Sequence, residues 1–357
     1  MSFSRKNLLI AFIFFPLLFS SCMKWENEVF KEEIHTASEG LFILCEGNFQ
    51  YGNSTFSFYN PENSEIINEA FFKANGMKLG DVAQSMTIYN NLGWIVVNNS
   101  HVIFAIDTET LEEKGRIENL TSPRYIHFVS PTKAYVSQIW DNRIFIVNPA
   151  TFKITGYIEV PGMSVQSGST EQMVQVGKYV YCSCWSYQNK IIKIDTESDS
   201  VVGSVEVGIQ PSSLVVDCKG RLWTITDGGY EGSPYGYESP ALCCIDPTSM
   251  HIESRLQFKI GEEIRKLTIN KDGDMLYWIS DDIWRMNIDS ERLPGSPIIK
   301  SLGTKYFGIT ISPYSGDIYV SDAIDYQQQG KVYRFTQEGN LIDEFYTGVN
   351  PGAFCWK

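Results

Sequence analysis

Residues 134–149 read AYVSQIWDNRIFIVNP and contain two features that recur along the chain. An alternating segment carries the aromatic residue Tyr135, and a second apolar segment ends at Asn148, before a proline. Alternation with a period of two indicates β-strands with one buried face. An Asn or Asp at a strand end closes a turn, because its side chain can accept hydrogen bonds from the backbone two residues on. The stretch therefore predicts two adjacent strands joined by a short loop.

The same two features occur seven times, and a further alternating strand follows, as at residues 204–208. The aromatic anchors, 41 to 54 residues apart, are Phe42, Trp94, Tyr135, Tyr181, Trp223, Tyr277 and Tyr319. The turn residues are Asn60, Asp107, Asn148, Asp195, Asp246, Asn287 and Thr336. Four short strands in a unit of about 45 residues are typical of a propeller blade. The sequence predicts an all-β, seven-bladed β-propeller over residues 40–357, with no long helix.

The chain also indicates how the ring closes. The first unit begins directly at its anchor strand, whereas residues 350–356 (NPGAFCW) resemble a lone inner strand. We expect this C-terminal strand to complete the first blade beside residues 41–45. That pairing would remove the open edge that a ring otherwise leaves.

The N-terminus has the features of a secretion signal. Two basic residues precede an apolar run at residues 8–19, which is too short to span a bilayer and matches a signal peptide. The run ends Ser-Ser-Cys22, which resembles a bacterial lipobox. We expect residues 1–21 to be a lipoprotein signal peptide, Cys22 the lipidated residue and residues 22–39 a tether. The alternative is a plain signal peptide with an incidental thiol at Cys22.

Composition excludes some functions. The 357 residues contain 29 Lys and Arg against 42 Asp and Glu, a net charge of -13, so no basic surplus is present for nucleic acid. The four histidines form no pair at zinc-ligand spacing. Seven cysteines besides Cys22 cannot all pair, and their spacing does not match a zinc ribbon, so we expect most of them to be small buried apolar residues.

The loops between each anchor strand and the next strand are the predicted binding surface. In a propeller they share one face with the connections between blades, and such loops often carry function. They are rich in aromatic and amide side chains, which suit a large, neutral, amphipathic ligand. The candidate binding residues in them are Phe49, Tyr51, Asn99, Gln138, Trp140, Trp185, Tyr187, Tyr230, Tyr235, Tyr237 and Tyr326. Some of these aromatics could instead cap their own blades.

The connections between blades add candidates to the same face: Arg124, Gln172, Lys266 and Tyr306. Arg124 and Lys266 would suit a phosphate or carboxylate on the ligand, and an ordinary solvated charge is an equal alternative. His101, in a predicted loop, could coordinate a metal carried by a ligand, whereas His127 lies on a predicted inner strand and is expected to be structural.

The lipobox, the seven units and phrases such as LCEGN at residues 44–48 and YVSDA at residues 319–323 resemble the YncE-like propeller lipoproteins of gut anaerobes. Within that group the chain is most similar to the BtuG-type surface lipoproteins, which capture cobalamin. The resemblance covers residues 22–357. It implies a lipid-anchored, surface-exposed protein of the outer membrane that binds cobalamin or another corrinoid. It also implies delivery to a TonB-dependent transporter, with no resident cofactor and no catalysis.

Two other functions compete with this interpretation. The same aromatic loops would suit a protein or glycan partner without corrinoid affinity. A propeller lactonase or lyase would need converging carboxylates around a metal, or paired histidines, and the sequence places no such group on one face. We therefore expect a binding protein and not an enzyme.

Overall fold

The computed structural model describes residues 31–164 and 168–357, and these form seven antiparallel sheets. The predicted signal peptide and Cys22 lie outside the described residues. The strands of blades 1 to 3 are β1 Leu41–Cys45, β2 Thr55–Asn60, β3 Glu65–Ile67, β4 Ala83–Tyr89, β5 Leu92–Val97, β6 Val102–Asp107, β7 Glu113–Ile117, β8 Pro123–Ser130, β9 Lys133–Gln138, β10 Arg143–Asn148 and β11 Lys153–Glu159. Those of blades 4 and 5 are β12 Thr170–Val176, β13 Tyr179–Cys184, β14 Lys190–Asp195, β15 Ser200–Glu206, β16 Pro211–Val216, β17 Leu222–Thr226, β18 Ala241–Asp246 and β19 His251–Gln257.

Blades 6 and 7 contain β20 Arg265–Ile269, β21 Met275–Ser280, β22 Asp282–Asn287, β23 Tyr306–Ile311, β24 Ile318–Asp322, β25 Gln329–Phe335 and β26 Leu341–Val349, and β27 is Pro351–Trp356. One short helix, α1 (Ala70–Asn75), lies between blades 1 and 2. The inner strands β4, β8, β12, β16, β20, β23 and β27 line the central channel. The prediction of a seven-bladed all-β propeller is confirmed.

Ring closure follows the predicted route. Strand β27 pairs antiparallel with β1, from Leu41 opposite Trp356 to Cys45 opposite Pro351, so the first sheet has the order β27-β1-β2-β3. Every residue of β1 is buried. The C-terminus thus provides the inner strand that the N-terminal part of blade 1 lacks, which leaves no open seam in the ring.

Blade 6 departs from the four-strand expectation. Its sheet has three strands, and the outer position holds an irregular segment that touches β22 through a single bridge, Ile283 to Ile299. Pro294 and Pro297 fall in this segment. Proline cannot donate a backbone hydrogen bond and is disfavoured within strands, which accounts for the missing fourth strand.

Each anchor packs against the next blade around the ring. Trp94 of blade 2 shares an apolar cluster with Val136 and Phe145 of blade 3. Tyr319 of blade 7 belongs to the cluster of Ile43 in blade 1. All seven anchors are almost fully buried. The repeating aromatic side chain is therefore the residue that joins consecutive sheets.

The predicted turn residues close the turns after the third strands. Asp107 Oδ1 accepts hydrogen bonds from the backbone N–H groups of Glu109 and Thr110, at 2.8 and 3.0 Å. Equivalent side-chain bonds occur at Asn60, Asn148, Asp195, Asp246, Asn287 and Thr336. These turns lie on the face opposite the proposed binding loops.

The described part of the predicted tether, residues 31–39, is held against the propeller. Ile34 is buried in the cluster shared by blades 1 and 2. The Thr36 backbone N–H donates to Glu109 O at 2.9 Å, and Lys357 Nζ donates to Thr36 Oγ1 at 2.7 Å. These residues therefore belong to the folded unit, which begins at Lys31.

Candidate functional site: the channel mouth and its loop face

A β-bulge occurs at the same position in all seven inner strands. In β4, for example, Ala83 pairs with Val97 and Ser85 with Val96, which leaves Gln84 as the extra residue. A bulge re-aims the extra side chain, and in this ring it lies at the channel mouth. The seven residues at this position, which we call the collar, are Gln84, Arg124, Glu171, Ser212, Lys266, Phe307 and Gly352.

Two collar residues form a buried ion pair. Arg124 Nε donates to both carboxylate oxygens of Glu171, at 2.9 and 3.0 Å, and its Nη1 donates to Gln84 Oε1 at 2.5 Å. Ser169 Oγ adds a 2.9 Å hydrogen bond to Glu171 Oε1. Burial opposes the charge on Arg124, but the adjacent Glu171 carboxylate raises the pKa of Arg124. Burial, followed by the Glu171 charge, raises the pKa of neighbouring Tyr125 to about 12.

A second pair of charged groups flanks Gly352. Lys266 Nζ donates to Gly352 O at 2.9 Å, and a Cβ added to Gly352 would lie 2.3 Å from Glu46 Oε1. Burial lowers the pKa of Lys266, and the Glu46 charge opposes that change. Burial raises the pKa of Glu46, and Lys266 and then Arg124 oppose the rise. Lys266 also has a left-handed backbone conformation with φ of 59°, which is unfavourable for any residue other than glycine.

Outside the collar, the loop face carries exposed aromatic side chains, which we call the rim aromatics. Tyr51 is 76% exposed and Phe49 62% exposed. Tyr187 stacks on Tyr235 of the next blade, with ring centroids 4.2 Å apart. The rim aromatics are Phe49, Tyr51, Trp140, Tyr187, Tyr230, Tyr235, Tyr237 and Tyr326. This group retains most of the aromatics proposed from the sequence.

The collar and the rim are in contact. Phe307 packs edge-on against Tyr326, with centroids 5.9 Å apart, and its ring lies 5.8 Å from Lys266 Nζ. On the opposite side Trp185 Nε1 donates to Asp227 Oδ2 at 3.0 Å, and both residues line the cavity above the collar. This cavity measures about 200 Å³, and the channel below it about 410 Å³. A ligand that lies on the rim would reach the collar.

Several predicted residues are committed to internal contacts. Gln138 is fully buried, and its Oε1 accepts from the Ser122 backbone N–H. Tyr306 is 4% exposed. Gln172 Oε1 accepts from the Leu214 backbone N–H at 2.9 Å, although Gln172 still lines the channel. Asn99 Nδ2 donates to Asp81 Oδ2 at 2.6 Å. Of these four, Gln138 and Tyr306 are shielded from any ligand on the loop face.

The sequence interpretation missed Glu46, Gln84, Glu171 and Phe307. Two of these are one position away from the residues it chose, since Glu171 precedes Gln172 and Phe307 follows Tyr306. Strict strand alternation cannot place a residue inside a bulge. If the starts of the seven inner strands are aligned with Arg124 as the reference, Glu171 and Phe307 fall at the same position as Arg124.

Both candidate histidines contact oxygen atoms of the protein. His101 lies in a left-handed loop position with Nδ1 2.5 Å from Thr121 O, and His127 Nε2 lies 3.0 Å from Gln175 Oε1. Burial lowers the pKa of His127. Within residues 31–164 and 168–357, no three His, Cys, Asp or Glu side chains are grouped as metal ligands would be. The described residues also contain no helix with the length and apolar character needed to cross a membrane.

Solved structures with this fold have distant sequences. A quinoprotein alcohol dehydrogenase-like protein from Bacteroides thetaiotaomicron superposes with a TM-score of 0.68 at 14% identity, covering 89% of this chain and 78% of its own. The periplasmic gluconolactonase of Pseudomonas aeruginosa gives 0.64 at 11% identity, with coverage of 89% and 99%. A putative 6-phosphogluconolactonase from Bacteroides uniformis gives 0.63 at 13% identity, with coverage of 90% and 100%. At these identities the likeness establishes the propeller fold alone.

The sequence comparisons are more specific about family than about function. No curated protein sequence matches the chain. A family profile described as "Domain of unknown function (DUF5074)" matches residues 39–348, which span all seven blades except the closing strand. The chain therefore belongs to the DUF5074 family.

Proposed function

We propose that the protein binds a corrinoid such as cobalamin on its loop face, without catalysing a reaction. The observation that supports this most directly is the set of rim aromatics around a polar channel mouth. Flat rings with polar ends suit a large amphipathic ligand whose edge carries amides. The stacked pair Tyr187 and Tyr235 joins the loops of blades 4 and 5, and Trp185 in the same loop as Tyr187 lines the cavity above the collar.

The backbone of the rim supports a binding role. Trp140, Tyr187 and Tyr326 all have left-handed backbone conformations, with φ of 60°, 60° and 64°. Such conformations cost on the order of 1 kcal/mol or more of free energy for a residue other than glycine, and they concentrate at functional sites. Because Tyr and Trp have few rotatable bonds, holding them in place against a ligand costs little further entropy.

The remaining part of the proposal concerns location. We propose that Cys22 carries a lipid that holds the protein at the outer membrane, exposed to the medium, and that a TonB-dependent transporter receives the corrinoid. The lipobox and the family resemblance described above support this step. Metabolic labelling with a fatty-acid analogue, compared between the natural chain and Cys22→Ser, tests the anchor directly.

A macromolecular partner is the second candidate. The rim aromatics fall into two groups, one on blades 1 and 7 and one on blades 3 to 5, and the blade connections add the exposed side chains Ile260 and Leu302. An exposed apolar surface this wide is typical of a protein or glycan contact. Recovery of a glycan-type transporter from outer membranes, without corrinoid affinity, would favour this candidate.

Isothermal titration with cyanocobalamin tests the main proposal. We expect binding at micromolar ligand or below, and a loss of about tenfold or more in the double variant Tyr187→Ala/Tyr235→Ala, because central aromatic contacts dominate such interfaces. Tyr157→Ala is the matched control, since Tyr157 is 56% exposed but lies on the outer strand β11. Absence of both heat and a thermal shift in the unmodified protein would rule out corrinoid binding.

A further inference from the structure

Four ionisable side chains close to the collar have formal charges that cancel, and Asp227 and Arg265, which line the cavity above it, cancel in the same way. Glu46 and Glu171 are carboxylates, whereas Arg124 and Lys266 are cations, and they come from blades 1, 4, 3 and 6. Arg124 and Glu171 satisfy each other through the paired hydrogen bonds described above. Glu46 and Lys266 do not pair with each other in this way. No ion pair within 4.0 Å joins them, and in the described chain no side-chain hydrogen bond reaches the Glu46 carboxylate.

Glu46 and Lys266 present complementary groups on either side of Gly352. The ammonium group has three N–H donors, and the Gly352 carbonyl accepts one of them. The carboxylate offers acceptors only. The Glu46 carboxylate lies directly against this glycine, because a Cβ added at position 352 would be 2.3 Å from Glu46 Oε1. A donor and an acceptor are thus held close together at the mouth.

The charge balance selects the class of ligand group. An anion or a cation in this half-buried mouth would leave one charge uncompensated, which is costly away from water. A neutral group that both accepts and donates hydrogen bonds would satisfy both side chains and leave the balance unchanged. A primary carboxamide has this character, with one carbonyl acceptor and an NH₂ donor. Lys266 lines the cavity of about 200 Å³ above the collar, which exceeds the space of about 30 Å³ that one liquid water molecule occupies.

We propose that the channel mouth contains a carboxamide subsite, in which Lys266 Nζ donates to the amide carbonyl and the amide NH₂ donates to Glu46. For a corrinoid this subsite would hold one of the amide side chains at the edge of the ring, so in that form the inference rests on the proposed function. The subsite orients the ligand relative to the rim aromatics, which contact its apolar surface.

Small probes test the subsite without any corrinoid. Crystals of the protein soaked in propionamide should show the amide between Lys266 and Glu46, whereas soaks in propionate should not. In Glu46→Gln the channel mouth gains one net positive charge, so propionate should bind and the preference should reverse. Lys266→Met should lose propionamide from the site, and Lys259→Met is its control because Lys259 is exposed on the same face outside the collar. An unoccupied collar in propionamide, or equal occupancy by both probes in both proteins, would overturn the inference.

Corrinoid derivatives provide the second arm. Among cyanocobalamin monocarboxylates, each with one amide hydrolysed, we expect one isomer to bind the unmodified protein about tenfold more weakly, and Glu46→Gln to recover that loss. Equal affinity for all isomers in both proteins contradicts the carboxamide subsite while corrinoid binding stands. Propionamide binding without cyanocobalamin binding supports the subsite and contradicts the proposed function. Glu46→Gln preserves side-chain size and keeps the test valid if Lys266→Met fails to fold.

Discussion

Arg124 and Glu171 join blades 3 and 4 at the channel mouth, where Arg124 Nε donates to both carboxylate oxygens at 2.9 and 3.0 Å. The side chains are only 18% and 3% exposed. Breaking such a pair leaves a buried charge uncompensated, and this typically costs about 3–5 kcal/mol. The two bulges place these side chains at the mouth, and the stability of the fold therefore depends on keeping both Arg124 and Glu171.

We predict that Arg124→Met lowers the free energy of unfolding by about 3–5 kcal/mol, because Glu171 remains buried without its cation. Urea unfolding at neutral pH measures the change. Lys178→Met is the control, since Lys178 is 45% exposed and its surface ion pairs with Asp195 and Glu197 should contribute little to stability. The double variant Arg124→Met/Glu171→Gln should recover part of the loss. Equal costs for Arg124→Met and Lys178→Met would contradict this account.

A second prediction compares two buried tryptophans that differ in one hydrogen bond. Trp223 Nε1 donates to Asp217 Oδ2 at 2.9 Å, whereas in the described chain Trp278 Nε1 has no partner. Both side chains are 1% exposed, and replacement by Phe removes the same volume from each. We expect Trp223→Phe to cost about 1.5–3 kcal/mol more than Trp278→Phe, because Asp217 loses a donor. Chemical denaturation of both variants measures the difference.

The difference between these variants should depend on pH. Burial acts to raise the pKa of Asp217, but the hydrogen bonds from Trp223 and Arg221 outweigh it and lower the pKa below 3.8. A lowered carboxyl pKa stabilises the fold above the unfolded value, and this contribution is lost as the pH falls through the folded value. The cost of Trp223→Phe should therefore approach that of Trp278→Phe in acid. A constant difference from neutral pH down to well below 3.8 would show that the Asp217 charge is not involved.

The elements that follow a local period could be predicted from the sequence. The anchor residues and the turn residues each repeat seven times, and both reflect contacts that every blade must make, so they gave the blade count and the register of the second and third strands. The closing strand was predicted for the same reason, because a unit without its inner strand implied a partner elsewhere.

The collar could not be predicted in this way. A bulge inserts one residue into an alternating strand, so the residue facing the channel shifts by one position. That shift is why Glu171 lies at the mouth, where alternation selected Gln172. Glu46 was missed for a different reason. Its neighbours Gly352 and Lys266 are more than 200 residues away in sequence, and ring closure alone brings them together.

Closure by β27 leads to a third prediction. Deleting residues 350–357 should prevent folding or greatly lower the melting temperature, because the fully buried strand β1 would lose its inner partner. Deleting Lys357 alone is the control, since it removes mainly contacts to Thr36, Ala37 and Tyr314. Thermal unfolding followed by circular dichroism compares the two deletions. An unchanged melting temperature in the longer deletion would mean that β27 does not close the ring.

A fourth prediction concerns the thiols. In the described chain all seven cysteines are free, and Cys218 is the exposed one. Burial raises the pKa of Cys45 to about 11 and that of Cys184 to about 12, so neither should form the reactive thiolate near neutral pH. In a Cys22→Ser background, Ellman's reagent at pH 8 should find one fast-reacting thiol in the native protein and seven after denaturation.

Cys218→Ser in that background should remove the fast reaction and leave the denatured count one lower. A fast thiol that persists in Cys218→Ser would show that one of the buried cysteines becomes accessible through opening of a blade. Cys355 is the most informative of these, because it lies on the closing strand β27 and burial of its thiol raises the pKa of Cys355 to about 12. Its modification rate therefore measures how often the C-terminal strand separates from β1, which links the thiol chemistry to the integrity of the ring.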